Sequence, residues 1–391
     1  MPRPSPARLR VAIVVASLRI LGGQAVQANR LLRGWENDRD IEAWIVPINP
    51  VPPRPFDRLL QIKYVRTLVT QLCYWPLLFR ELRRADVVHI FSASYSSFLL
   101  APLPAVIVSR LLNKPVLLNY HSGEAGDHLR RSWIARTTLA QHIDVNVVPS
   151  RYLRDVLARH GIDAAVISNT VDQREFVFRS RNLRRRPLTL LSTRNFEPHY
   201  NVACTLRAFA RVQARFPDAS LTVIGNGSQE SALKALARDL GLRQVHFTGA
   251  VPPDRIAACY AAADLYVQTP SIDNMPLSVL EAAASGLPIV STNVGGVSAL
   301  VTDGVDGLLA ADDDANGVAE RICELIDAPD YAQQLASAAR ERCARYDWRH
   351  VRESWLAIYR ALAQRAAHAL LESVDVHAGL RLGLQALRVG F

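Results

Sequence analysis

The sequence predicts an α/β protein made of two doubly wound domains that face each other across a cleft. Three observations lead to that fold class. Short runs of β-branched and aliphatic residues, such as Val11–Ala16 and Val116–Tyr120, alternate with amphipathic stretches along most of the chain. That alternation gives parallel sheets covered by helices on both faces. It is interrupted at the charged, apolar-poor segment Arg179–Pro187 (RSRNLRRRP), which reads as a linker. A length of 391 residues also suffices for two hydrophobic cores rather than one.

Taken in order, the first series of strands is expected at Val11–Ala16, Ile41–Pro47, Val87–Phe91, Val116–Tyr120, Val145–Pro149 and Ala164–Ile167, with helices such as Gln24–Gly34 and Pro76–Arg84 between them. The second series is expected at Leu188–Ser192, Leu221–Ile224, Val245–Thr248, Leu265–Gln268, Ile289–Thr292 and Leu308–Ala310. Its helices include Val202–Arg215, Gln229–Asp239, Asp254–Ala261 and Pro276–Ser285. In doubly wound domains ligands bind outside the carboxyl ends of the strands, so two such domains set two crevices against a shared cleft.

Composition narrows the function classes. A hydrophobic share of 49% with 21% charged residues describes a globular protein rather than a disordered one. The formal charge of +10 is carried almost wholly by arginine, since Lys63, Lys114 and Lys234 are the lysines. A positive surface favours phosphates, acidic glycans or anionic membranes. No nucleic-acid-binding module is recognisable, and nucleic acid is not an expected partner. The five cysteines, Cys73, Cys204, Cys259, Cys323 and Cys343, have neither metal-ligand nor disulfide spacing, which fits reduced thiols in a cytoplasmic protein. Arg8 and Arg10 before an apolar run imitate a signal peptide, but Arg19 cuts the run short and Val11–Ala16 reads as a buried first strand. No uninterrupted run of roughly 20 apolar residues suggests a membrane span.

The chemistry concentrates at Asp273-Asn274-Met275-Pro276-Leu277-Ser278-Val279-Leu280-Glu281, which continues into Ala282-Ala283-Ala284-Ser285-Gly286-Leu287-Pro288. Pro276 suits the first turn of a helix, and Gly286 with Pro288 suits its end. The amides of Leu277 and Ser278 would then open a helix N-terminus, where an anion is favoured. Glu281 lies roughly 6 Å further along the axis, a suitable offset between a phosphate on the amides and a ribose diol on the carboxylate. Asp273, in the loop before the helix, would meet the sugar beyond the phosphate. The same residues also fit a capped surface helix with a solvated glutamate.

This stretch resembles the acid-x7-acid signature of retaining GT-B glycosyltransferases of family 4, together with the E-A-x-A-x-G-x-P run that follows it there. The similarity extends over about residues 9–360. Val148-Pro149-Ser150, Asn169-Thr170-Val171-Asp172, Ile224-Gly225-Asn226-Gly227 and Phe247-Thr248-Gly249 resemble further family elements in the same order. The resemblance implies an N-terminal Rossmann-like acceptor domain over residues 1–180 and a C-terminal Rossmann-like nucleotide-sugar domain over 181–345. Residues 346–391 would form C-terminal helices returning to the N-terminal domain. The tail beyond Ala366 lies outside the resemblance.

The resemblance also implies site roles. Arg194 resembles the family's diphosphate-binding arginine, whose fork can grip both phosphates and offset charge on the leaving group. The lysine usual five or six residues later is replaced by His199 and Tyr200. His121, in Asn119-Tyr120-His121-Ser122-Gly123-Glu124, matches the histidine that contacts the donor sugar. Gly22 and Gly23 follow the first strand, where backbone can approach a phosphate closely; the pattern is not G-x-G-x-x-G, which excludes a nicotinamide-dinucleotide fingerprint. Gly225 and Val251 complete the expected donor contacts. His121, Asp273 and Arg194 are the expected catalytic set, with no metal and no cofactor beyond the nucleoside-diphosphate sugar as substrate. The implied reaction retains anomeric configuration on a glycan or lipid-linked acceptor; a nucleotide-sugar epimerase and a non-catalytic sugar-nucleotide-binding subunit are the alternatives. Ile62–Arg84, which interleaves aromatics with arginines, fits either peripheral contact with an anionic membrane at the inner face of the plasma membrane or ordinary helix packing.

Overall fold

A computed structural model of the chain describes residues 8–366 apart from 20, 21, 55, 63, 93, 185 and 186. The tail from 367 onward, including the apolar-basic stretch Leu380–Phe391, lies outside the described residues.

The apolar runs form two six-stranded parallel sheets. The first contains β1 (Leu9–Val15), β2 (Ile41–Pro47), β3 (Val87–Ser92), β4 (Val116–Tyr120), β5 (Val145–Val148) and β6 (Ala165–Val166), in the order β2-β1-β3-β4-β5-β6. The second contains β7 (Thr189–Thr193), β8 (Ser220–Ile224), β9 (Val245–Gly249), β10 (Leu265–Val267), β11 (Ile289–Thr292) and β12 (Leu308–Ala310), in the order β12-β11-β10-β7-β8-β9. Continuous apolar strands rather than alternating ones are what a sheet buried on both faces requires: Val11, Ala12, Ile13 and Val14 are all fully buried. Val11 and Ile13 pack with Trp35 on one face of the first sheet, while Ala12 and Val14 pack with Tyr74 and Leu78 on the other.

Residues 348–366 are helical and lie against the first sheet, where Val351, Trp355, Leu356, Tyr359 and Leu362 join the core of β1 and β3. Arg352 fixes this helix by bridging Asp38 and Asp40 at 2.8 Å each.

Two local expectations change. The helix expected from Pro76 instead spans Val65–Leu82 with Pro76 inside it. Burial of Tyr74, Leu78 and Leu82 on one face outweighs the backbone bond that proline removes. The expected linker is also not free chain: Arg181 donates to the carbonyls of Ala261 (2.8 Å), Tyr260 (3.2 Å) and Ser285 (3.0 Å), and Leu183 is buried.

Candidate active site

Each sheet reverses its winding once. In the second sheet β7 leads through β8 and β9 in one direction, and the chain then returns to place β10 on the other side of β7. The crevice at the carboxyl ends of β7 and β10 is therefore the expected ligand position. Arg194 follows β7 directly, and Gln268 follows β10. In the first sheet the corresponding point lies between β1 and β3, ahead of the Gly22-Gly23 turn.

From Gln268 the chain passes through a loop into the cleft helix, Leu277–Ala284. Pro276 is the residue before the helix, with φ −64° and ψ 120°, rather than part of its first turn. Gly286 takes φ +75°, and a side chain there would strike the Arg179 carbonyl, so glycine is required for the chain to leave the helix. Helix geometry leaves the amides of Leu277 and Ser278 without intrahelical acceptors. Ser278 is buried, and its hydroxyl donates to Gln268 Oε1 at 3.1 Å.

Arg194 reaches this helix end. One terminal nitrogen pairs with the Asp273 carboxylate, the other donates to Ser278 Oγ at 3.2 Å, and the guanidinium lies 4.0 Å from the centre of the Tyr200 ring. Its Nε is buried and has no hydrogen-bond partner among the described residues. Burial works against the Arg194 charge, but the Asp273 carboxylate together with Tyr200, Tyr266 and Tyr260 raises the guanidinium above its ordinary value. Asp273 is itself held by the backbone: its Oδ1 accepts the Asn274 amide at 2.8 Å and its carbonyl accepts the Gly296 amide at 2.9 Å. A Cβ on Gly295 or Gly296 would collide with the carbonyls of Asp273 or Asn274.

Glu281 is buried and points toward the first lobe rather than solvent. Its Oε1 accepts from Arg30 Nη2 at 2.6 Å, with both side chains 9% exposed. Arg30 belongs to the helix Gly23–Gly34 that follows β1. Other contacts seat the lobes on each other near the cleft helix: Ser150 Oγ donates to Asn274 Oδ1 and Asn169 Nδ2 donates to the Met275 carbonyl at 3.0 Å, while within the first lobe Gln27 exchanges hydrogen bonds of 3.2 Å with Thr170.

His121 leaves the end of β4, stacks on Phe91 at 5.2 Å, and shares the Ser92 carbonyl with Gln24 next to the glycine pair. Its loop abuts the opposite lobe, where a Cβ on Gly123 would lie 3.6 Å from Asp273 Cα. Burial lowers the His121 pKa to about 3, and that of His89 beneath it also to about 3, so both imidazoles are neutral near pH 7. His121 Nε2 is shielded and without a partner among the described residues. An unfolded imidazole gains its proton near 6.5 and these folded ones near 3, so their contribution is whole above pH 6.5 and declines as pH falls toward 3. Each should cost about 2 kcal/mol of stability at pH 5; denaturant midpoints at pH 7 and 5, compared with a His89→Phe variant, check this.

Among the other expected donor contacts, Gly225 is forced by its surroundings: a Cβ there would collide with the Arg194 carbonyl, and its amide donates to Gly249 at 3.0 Å. Val251 lies two residues beyond Gly249, partly buried against the core beside the cleft helix. Gly22 and Gly23 differ, because a Cβ on either would meet no described atom within 4 Å; protein packing among the described residues does not demand glycine there. Reading the sequence missed Arg30, the stacking role of Tyr200 and the Gly295-Gly296 turn. The glycine pair in the loop after β11 was a visible signal for the last, whereas Arg30 is one of many arginines and carries none.

The sequence profile described as glycosyl transferases group 1 matches residues 173–342, and that described as glycosyltransferase family 4 matches residues 21–175. The chain belongs to the group 1 glycosyltransferases. This glycosyltransferase is 29% identical to a glycogen synthase of Mycobacterium tuberculosis over 294 residues, covering 71% of the chain and 69% of that relative. It is 32% identical to a D-inositol 3-phosphate glycosyltransferase of Corynebacterium urealyticum over 165 residues, 40% of the chain and 39% of the relative. Among solved structures, Anabaena Alr3699/HepE in complex with UDP-glucose superposes with a TM-score of 0.69 at 18% identity, covering 93% of this chain and 100% of that one. Sucrose-phosphate synthase from Thermosynechococcus elongatus gives 0.68 at 18% identity, covering 91% and 99%. The glycosyltransferase has the two-domain GT-B fold.

Proposed function

We propose that this glycosyltransferase moves a sugar from a nucleoside-diphosphate sugar to a glycan or lipid-linked acceptor with retention of configuration, in cell-surface polysaccharide or glycolipid synthesis. The observation that carries the reading is Arg194, a buried cation with an unpartnered Nε beside the N-terminus of the cleft helix. A diphosphate has the charge and the acceptors to use that donor together with the amides of Leu277 and Ser278. Glu281 would accept the ribose hydroxyls, and Asp273 with neutral His121 would hold the sugar. As the glycosidic bond to the diphosphate breaks, charge grows on the departing oxygen where Arg194 and the helix dipole already point. The acceptor hydroxyl attacks from the same face, and the departing phosphate takes its proton. Catalysis then comes from positioning and electrostatics, without a resident metal.

Incubation with a panel of nucleotide sugars and glycan or lipid acceptors should release nucleoside diphosphate only when acceptor is present, and the product should keep the donor's anomeric configuration by NMR. Donor loss without acceptor would favour an epimerase or hydrolase; binding without turnover would favour a sugar-nucleotide-binding subunit. His121→Ala should slow transfer roughly 10- to 100-fold while changing nucleoside-diphosphate affinity little, because the ring sits on the sugar side of the cleft. Equal losses in both measurements would remove His121 from the sugar site.

The expected acceptor position at a membrane has support from the first lobe. Tyr64, Leu68 and Leu72 are 78%, 63% and 66% exposed around the helix Val65–Leu82, with exposed Arg58 and Arg66 nearby. Gln71 donates to the Leu100 carbonyl at 2.8 Å, which brings exposed Leu99 and Leu100 beside that face. Apolar groups flanked by arginines suit an anionic bilayer surface. No described helix is long and apolar enough to cross a membrane. The protein should co-sediment with vesicles containing phosphatidylglycerol but not with pure phosphatidylcholine, and Leu68→Glu with Leu72→Glu should abolish this. Co-sedimentation that survives the double substitution would remove this face from the membrane contact.

A further inference from the structure

A second buried charge pair lies beside the proposed diphosphate site, and it crosses between the lobes. Arg30 is placed from several directions: Nη2 donates to Glu281 at 2.6 Å, Nη1 donates to the Thr170 carbonyl at 3.3 Å, and its Cζ lies 5.4 Å from the centre of the Phe176 ring. These partners belong to the cleft helix and to the segment that leads from β6 toward β7. Glu175 is close enough for its charge to be felt by the group: burial raises its pKa, Arg30 and Arg33 lower it, and Glu281 raises it. Without Arg30, the buried Glu281 carboxylate and the partly buried Glu175 would repel each other with less to offset it. Buried Tyr260 also feels the Glu281 charge, so the surroundings offer Glu281 a hydroxyl but Arg30 is the cation bonded to it.

We propose that Arg30 is the positioning residue of the nucleotide site: it ties one oxygen of Glu281 and turns the other toward the ribose diol. Because Arg30 comes from the first lobe and Glu281 from the second, the ribose contact is fully formed only when the lobes are seated together. Nucleotide affinity is thereby coupled to lobe position through one ion pair. This rests on the reading of Glu281 as the ribose-binding carboxylate, and the experiment separates the two claims.

Arg30→Met, Arg30→Lys, Glu281→Gln and the Arg30→Met/Glu281→Gln double variant are compared in the full-length protein. Affinity for UDP, GDP and ADP is measured by calorimetry, and donor and acceptor KM by turnover. Arg30→Met should weaken the nucleotide that binds the parent, and raise donor KM, by roughly tenfold or more, with acceptor KM unchanged. Arg30→Lys should recover part of that loss, and it keeps the test open should the methionine variant fold poorly. The double variant should be no weaker than Glu281→Gln alone, since Arg30 acts through Glu281. If Glu281→Gln weakens binding while Arg30→Met and Arg30→Lys do not, or if the two losses multiply, the positioning role is overturned and the ribose reading stands. If Glu281→Gln binds like the parent, both fall.

Discussion

Replacing Arg194 by alanine is expected to lower kcat/KM by about 10²–10³, the scale on which one preorganised electrostatic donor acts. The guanidinium is the buried cation bonded to Ser278 and Asp273 beside the N-terminus of the cleft helix. Its removal leaves the leaving group with the helix dipole alone and leaves the Asp273 carboxylate, 12% exposed, without its partner. Stability should fall too, because an orphaned buried charge is costly. Arg194→Lys separates the two effects. A lysine keeps the charge beside Asp273 but not the planar fork, so thermal stability should recover more than turnover does. Steady-state kinetics and melting curves on the two variants check this, and wild-type turnover in the alanine variant would remove Arg194 from the reaction.

The second large effect is expected at Glu281. Glu281→Ala removes the acceptor proposed for the ribose hydroxyls, and charged hydrogen bonds are each worth about 1.5–3 kcal/mol. Calorimetry should show nucleoside-diphosphate affinity reduced by roughly one to two orders of magnitude. The same change strands Arg30 in a site where its side chain is 9% exposed, so the melting temperature should drop as well. Glu281→Gln keeps the shape and should melt closer to the parent while still binding nucleotide weakly. Unchanged affinity in the glutamine variant would place the ribose elsewhere.

How much of this was legible before the structure depends on what kind of signal each feature leaves. Strands such as β1 and β4 were readable because a sheet buried on both faces demands uninterrupted apolar residues, and Val11–Val15 and Val116–Leu118 supply them. The cleft helix was readable because backbone geometry constrains residue type at its ends: Pro276 before it and Gly286 at φ +75° after it. The helix Val65–Leu82 was misplaced at its start because Pro76 dominates any local reading, while the compensating burial of Tyr74 and Leu78 is tertiary. The convergence of Asp273, Arg194 and Ser278 follows from where β7 and β10 adjoin, so the spacing of those residues only hinted at it. Arg30 was invisible for the same reason in stronger form. Its partner lies 251 residues away, and no local pattern distinguishes it from the chain's other arginines. Tyr200 was noticed only as the residue standing where a lysine is usual, whereas the structure lays its ring against Arg194.

The central claim is that the cleft helix presents its N-terminus and Arg194 to a diphosphate while Glu281 takes the ribose. Its most direct test is a crystal structure of the full chain with a bound nucleoside diphosphate. The diphosphate oxygens should lie about 3 Å from the amides of Leu277 and Ser278 and from the Arg194 guanidinium, with the ribose hydroxyls on Glu281. A diphosphate seated away from that helix, or a ribose that leaves Glu281 bonded to Arg30 alone, would contradict the account.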